Sequence, residues 1–276
     1  MMTTTKHPIS LSHPVLLQNR WNWLRLIIFH AFAILLLASW LWQPTRALWD
    51  QLDKRIFHYL NAPLATSNTW AHLWAAGSMR LADMAVGLIM LFFLSKANWL
   101  FAKDQVRTAL FAFLSVLFLL LFIRIGLFAP LVKAMHWQHD GPSLVLDGAV
   151  RLGNLFPEWD RFSHIKDSSN NSFPGDHASV LLLWAMFLHP FAKLWQRGLI
   201  WLLTVIFLLP RLVAGAHWGT DIFIGGVFLS LVAFSWGFYT PFAAYSVRLL
   251  ERLLSPVFRV LQIVPGLDRI SLISDR

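Results

Sequence analysis

Near the end of the chain, PRLVAGAHWGTD (Pro210 to Asp221) sets an arginine, a histidine and an aspartate among small and apolar residues. His217 and Asp221 are four apart, so at a helix start they share one face. A carboxylate that accepts the N–H of one ring nitrogen fixes the tautomer and leaves the other nitrogen's lone pair exposed. Such an imidazole can attack an electrophile while the carboxylate stabilises the growing imidazolium. Arg211, six residues before His217, offers a rigid fork of donors suited to phosphate or carboxylate. A second polar island, NSFPGDHASV (Asn171 to Val180), carries His177 directly after Gly175 and Asp176. A helix that begins there presents free N–H groups and a partial positive charge to an anion. Two such islands at one face could close around a phosphate, one histidine attacking and the other protonating the leaving oxygen. A metal centre on His177, His217 and Asp221 is chemically feasible, but Arg211 would repel the cation, so no metal or other cofactor is expected. His136, His139 and Asp140 form a looser group that reads as solvated loop.

The elements that must position these residues are membrane spans. The 276 residues are 57% hydrophobic and only 13% charged, against about 25% charged in an ordinary soluble domain. Fifteen tryptophans fit a chain that repeatedly crosses the membrane–water interface. With no cysteine there is no disulfide, thiolate metal site or cysteine nucleophile. Net charge +9 comes without a basic stripe interleaved with aromatics, which argues against nucleic acid. Apolar runs of span length predict an all-α, integral membrane six-helix bundle as a single domain, with spans at roughly 24–42, 76–96, 106–128, 175–191, 197–213 and 219–241. Residues 129–172 form an outer loop and 243–276 an amphipathic cytoplasmic tail. Basic residues such as Lys96, Lys103, Arg107, Lys193, Arg197, Arg248 and Arg252 lean to the side of the termini, which puts both polar islands at the outer face. Leu48, Leu52, Ile56, Phe57 and Leu60 recur at helical spacing among charges; this segment either lies flat at the interface or packs on protein.

SFPGDH followed by PRLVAGAHWGTD resembles the second and third signatures of the phosphatidic acid phosphatase type 2 superfamily of integral membrane lipid phosphatases. The third signature, Ser-Arg-x5-His-x3-Asp, matches at Arg211, His217 and Asp221, with Pro210 in the serine's place. The second, Pro-Ser-Gly-His, is represented by Pro174, Gly175, Asp176 and His177; Ser172 is the candidate to replace the missing hydroxyl. The first, Lys-x6-Arg-Pro, is poor: Lys133 is followed by Pro142 one residue late, with Asp140 where arginine belongs. Arg124 in the third span is the candidate substitute, pairing with a neighbouring helix the competing reading. The longer string KDSSNNSFPGDHASVLL, with Lys166 six residues before Ser172, is similar to the branch that moves a phosphoryl group from undecaprenyl diphosphate to lipid A. Arg80 and Asp83, at the outer end of the second span, also resemble that branch; an intrahelical ion pair is the alternative.

The resemblance implies a metal-independent lipid phosphatase or phosphotransferase in a bacterial inner membrane, working at the periplasmic face. Its implied catalytic residues are His217, Asp221 and His177. Arg211, Lys166, Gly175, Ser172 and Lys133 are the implied phosphate binders, supported by Arg80, Asp83 and Arg124. The implied substrate is undecaprenyl diphosphate or another lipid phosphate, with lipid A 1-phosphate or water as acceptor. A phosphatase for phosphatidylglycerol phosphate or phosphatidic acid stays open, as does a non-enzymatic lipid flippase or transporter.

Overall fold

The computed structural model describes residues 16–263. The described chain is helical, with no strand longer than an isolated bridge. In order the helices are α1 (Trp23–Leu41), α2 (Gln43–Asn61), α3 (Asn68–Ser78), α4 (Arg80–Ser95), α5 (Val106–Phe122), α6 (Ala129–Ala134), α7 (Pro142–Val145), α8 (Leu152–Leu155), α9 (Pro157–Phe162), α10 (Asp176–Leu188), α11 (Leu194–Val213), α12 (Val227–Tyr239) and α13 (Phe242–Ile263). π-helical turns join α5 to α6 (Ile123–Phe128) and lead into α12 (Asp221–Gly226).

Four helical runs are long and apolar enough to cross a bilayer: Trp23–Leu41, Lys103–Ala134, Leu194–Val213 and Asp221–Tyr239. The other two expected spans are shorter helices. The one at 76–96 is broken at Met79, whose extended backbone separates α3 from α4, leaving 16 residues in α4. α10 has 13 residues, about 20 Å at the α-helical rise, before a 3-10 turn takes over at His189.

α12 lies at the centre, packed against α1, α5 and α10, while α10 also packs on α11. The polar ends cluster: α1, α5 and α11 end where α4, α10 and α12 begin. At the opposite end short connections join α4 to α5 and α10 to α11, while at the polar end, among the connections between these helices, only the α11–α12 turn is short. At the far end the Asn22 amide bonds the Tyr239 carbonyl at 2.8 Å, tying the start of α1 to the end of α12. The outer surface is apolar: Leu24, Ile27, Phe32 and Leu35 of α1 and Leu202 and Val205 of α11 are all exposed. So continuous an apolar belt is stable in lipid and costly in water.

α2 combines the two readings of its sequence. Its buried residues are Asp53, Phe57 and Asn61, one face at helical spacing, while Leu48 and Leu52 point outward. The Asn61 amide donates to the carbonyls of Val213 and Val150 at 2.9 and 3.0 Å, so α2 braces the end of α11. α13 rests on α5, with Phe258 against Phe111 and the Arg107 guanidinium over the Phe258 ring. The expected tail beyond Ile263 lies outside the described residues.

Candidate active site

The turn from α11 into α12 explains the Arg-x5-His-x3-Asp spacing. Pro210 brings α11 to its last turn, and the Arg211 carbonyl then accepts the amides of both Ala216 and His217, at 3.0 and 3.2 Å. Gly215 makes this possible: its φ of +76° suits glycine, and a Cβ there would sit 2.7 Å from the Phe57 ring. His217 precedes the helix rather than sharing its face, as the spacing had suggested. The contact instead forms because Asp221, on the first turn, reaches back to the Trp218 amide at 2.9 Å, the acid's half of a capping box. The same carboxylate oxygen lies 3.3 Å from His217 Nδ1. Nδ1 lies closer still, 2.9 Å, to the Ser172 carbonyl oxygen. Both neighbours are acceptors, so Nδ1 carries the hydrogen and Nε2 keeps its lone pair.

α10 is set against this turn by backbone. Gly175 donates its amide to the Asp221 carbonyl at 3.0 Å, and a Cβ on Gly175 would lie 2.9 Å from that oxygen. Gly175 therefore does not offer its own N–H to a phosphate; its role is close approach. The amides of Asp176, His177 and Ala178, in the first turn of α10, have no acceptor among the described residues and are the ones open to an anion. Ser172 is likewise redirected. It is fully buried, and its hydroxyl and amide both donate to the His139 carbonyl, at 3.1 and 2.9 Å, so the hydroxyl does not stand in for the missing signature serine.

The cations gather on the other flank. The segment around Ile165 clasps the α3–α4 break: Lys166 N–H donates to the Ser78 carbonyl at 2.9 Å, Arg80 N–H to His164 at 3.2 Å, and Met79 bridges Ile165. Asp167, buried beneath, accepts from Arg151 and the Gly153 amide, both at 2.9 Å. Arg211 is buried and clamped by Asp83 at 2.5 and 2.6 Å, with further bonds to the carbonyls of Ser78 and Lys166. Asp83 also lies 3.7 Å from Arg80, so the intrahelical pair exists but is the weaker of its two contacts. Burial, together with the nearby Arg80 and Arg211 charges, lowers the Lys166 pKa. Arg80 and Arg211 thus share Asp83, while Asp167 and Asp176 act on Lys166 in the opposite sense to those cations. His177 shares one groove wall with Asp83 and Arg211.

Arg124 does not fill the gap in the first signature. It pairs bidentately with Asp176 at 2.5 Å on both oxygens, which ties the π-helical end of α5 to the head of α10. Lys133 is exposed on α6, and no hydrogen bond or ion pair among the described residues brings its side chain to the site. His139, read from sequence as solvated loop, is the residue that reasoning missed: its Nε2 lies 3.0 Å from the second oxygen of Asp221. Nothing in one sequence signals a contact across 82 positions. Among the described residues no cluster of three His, Asp or Glu side chains has the form of a metal site.

A groove of about 470 Å³ leads away from His177, Asp83 and Arg211. Its walls are apolar, from Leu73, Trp74 and Gly77 of α3, Ala85, Val86 and Ile89 of α4, and Ile206 and Phe207 of α11. Charge at one end of an apolar cleft matches a molecule with a phosphorylated head and a hydrocarbon tail.

Residues 151–246 match the model of the PAP2 superfamily. The match spans about a third of the chain and makes that stretch similar to the superfamily. The matched stretch contains every residue of both polar islands. The chain is also similar to lipid A 1-diphosphate synthase of Escherichia coli (strain K12), 29% identical over 224 residues, which cover 79% of this chain and 88% of that protein. A shorter similarity, 28% identity over 88 residues, relates it to YbjG of the same organism, named for undecaprenyl-diphosphatase activity; it covers 29% of this chain and 43% of that protein. No solved structure matches significantly. The PAP2 match and these two relatives support a membrane lipid phosphatase or phosphotransferase.

Proposed function

We propose that this chain transfers the terminal phosphoryl group of undecaprenyl diphosphate, through a phosphohistidine at His217, to lipid A 1-phosphate or to water. The observation that carries the reading is the groove. It joins an apolar cleft to a polar end formed by His177, Asp83 and Arg211, and the Arg211 guanidinium also bonds the Lys166 carbonyl. The similarity to lipid A 1-diphosphate synthase supports the choice of donor and acceptor.

In this reading the prenyl tail lies in the groove. Lys166, Arg80 and Arg211, with the first-turn amides of α10, hold the phosphoryl oxygens. Transferring phosphoryl groups spread charge over those oxygens, so positioned cations and amides do most of the work. The His217 Nε2 lone pair attacks the terminal phosphorus in line, forming the N–P bond as the bond to the bridging oxygen breaks. His177 gives its proton to that oxygen, and the lipid monophosphate leaves. Asp221 balances the positive charge that grows on the His217 ring. The acceptor then attacks phosphorus and the N–P electron pair returns to Nε2. When water is the acceptor, His177 takes its proton; when a lipid phosphate is the acceptor, His177 regains its proton from solvent. The six-span arrangement, with the site at the periplasmic face of an inner membrane, is part of the proposal.

Purified protein supplied with undecaprenyl diphosphate radiolabelled on its terminal phosphorus, with and without lipid A, tests it. Label on lipid A marks transfer and label in inorganic phosphate marks hydrolysis; label that stays on the donor refutes both. His217→Ala should abolish turnover and the acid-labile phosphoenzyme. Because the chain has no cysteine, a single Lys133→Cys can be labelled from one side of sealed cells to test the face.

A further inference from the structure

Asp221 serves two histidines. One oxygen faces His217 and the Trp218 amide; the other lies 3.0 Å from Nε2 of His139, in the connection between α6 and α7. Nδ1 of His139 lies 3.1 Å from the Trp137 carbonyl oxygen. Carboxylate and carbonyl oxygens are both acceptors, so both nitrogens of His139 must carry hydrogen for both contacts to be bonds. The ring is then an imidazolium. It is held in place by the rings of Trp40 and Phe173, with centroids 6.2 and 5.9 Å away. Its backbone carbonyl accepts the Ser172 amide and hydroxyl, and the Ser172 carbonyl accepts His217 Nδ1–H. Two routes therefore run from His139 to His217, one through a carboxylate and one through a peptide.

We propose that His139 is a positioning residue for phosphoryl transfer, a cation that keeps buried Asp221 ionised and turned so that its second oxygen faces His217. The inference rests on His217 as the nucleophile. Asp221 has no solvent exposure, and a lone carboxylate in such a place would take up a proton. A protonated Asp221 could neither orient His217 nor balance charge on its ring. The His139 cation prevents that from the side away from the phosphate. It also divides the Asp221 charge between two rings.

The surroundings agree. Burial lowers the His139 pKa, but the hydrogen bond and charge of Asp221 outweigh it and hold the ring above its ordinary value. Arg46 opposes protonation. Asp50, Asp53 and Lys54 of α2 and Asp140 of its own loop line the same cavity of about 320 Å³, which opens His139 to water. Because the folded pKa is raised, the doubly bonded ring is complete at low pH and is lost as pH rises through that pKa.

The test uses His139→Leu, which removes the donor, and His139→Gln, whose amide can replace Nε2–H without charge or titration. Partners that orient a functional histidine typically contribute about 10–100-fold. His139→Leu should lose that much kcat with KM within about threefold, and His139→Gln should recover most of the loss at neutral pH while its kcat lacks the wild-type decline at high pH. Nitrogen-15 histidine spectra of the full protein should show the His139 ring doubly protonated at neutral pH, and singly protonated in Asp221→Asn. A neutral His139 ring in active wild-type enzyme overturns the proposal, as does His139→Leu with unchanged kcat and pH profile, or a loss confined to KM. Wild-type protein inactive on all lipid phosphates would overturn the functional reading first, and the positioning role with it.

Discussion

Asparagine at position 221 would keep the shape of the aspartate and remove its charge. Its side chain has one oxygen and one NH2 in place of two oxygens. With the oxygen toward the Trp218 amide, 2.9 Å away, the NH2 meets His139 Nε2–H at 3.0 Å; flipped, it meets Trp218 N–H instead. Either way a donor faces a donor where there is no solvent exposure, which costs about 1–3 kcal/mol. Deprotonation of His139 would relieve part of that. For catalysis two effects separate. In a serine protease triad the same change drops kcat about 10⁴-fold, largely through the wrong histidine tautomer. Here the Ser172 carbonyl, 2.9 Å from Nδ1, holds the productive tautomer by itself. What is lost is the charge. A full pair at about 4 Å and an effective dielectric near 20 gives about 4 kcal/mol, and partial charge on the ring at the transition state leaves about 2–4 kcal/mol. Asp221→Asn should therefore lower kcat by about 10²-fold, within a window of about 30–1,000-fold, and leave KM within about threefold. Single-turnover release from a labelled lipid diphosphate in detergent measures it, with circular dichroism to confirm folding. A loss of 10⁴-fold or more would refute the role given to Ser172. A loss under about fivefold would mean that the Asp221 charge does not act on the reacting ring.

Other outcomes follow from the same geometry. Ala85→Trp should fill the groove and raise KM about tenfold or more for a long-chain lipid diphosphate, on the order of one lost buried side chain, while a short-chain soluble analogue keeps its KM; equal effects on both would remove the groove from substrate binding. Gly215→Ala should destabilise the protein by more than about 1 kcal/mol, because the left-handed backbone and the Phe57 ring at 2.7 Å both oppose a Cβ; an unchanged melting temperature would contradict this. Burial pushes the Asp53 carboxyl up to about 6 from 3.8, even against its bonds to Thr220. A raised carboxyl pKa favours the folded state at low pH and that contribution fades as pH rises toward 6, by about 3 kcal/mol in all. Asp53→Asn should therefore gain thermal stability relative to wild type between about pH 4 and pH 7, read as a difference in melting temperature across that range; a difference independent of pH would refute it.

Much of this was legible in the chain itself. Apolar runs of bilayer length dictate helices, because no other open structure satisfies its backbone in lipid. The spacing of Arg211, His217 and Asp221 is local: one turn, capped by its own carboxylate and stabilised on the Arg211 carbonyl. Residues so close in sequence meet whatever the rest of the fold does, so a motif reader finds them. The length of the spans was less legible, since the break at Met79 is set by pairing with Ile165, far along the chain.

Only the tertiary structure decided who meets whom across helices. Arg211 has a fork of donors in any context, but that Asp83 clamps it depends on α4 lying beside α11. Arg124 could have met phosphate, a lipid or a neighbour, and the approach of α10 gave it Asp176. His139 looked like a loop residue because its neighbours in sequence are polar. Its place beside Asp221 depends on the α6–α7 connection folding over the α11–α12 turn, where the Trp218 indole donates to the Asp140 carbonyl. Sequence states what a side chain can bond to; burial then requires that it find a partner, and only packing chooses which one.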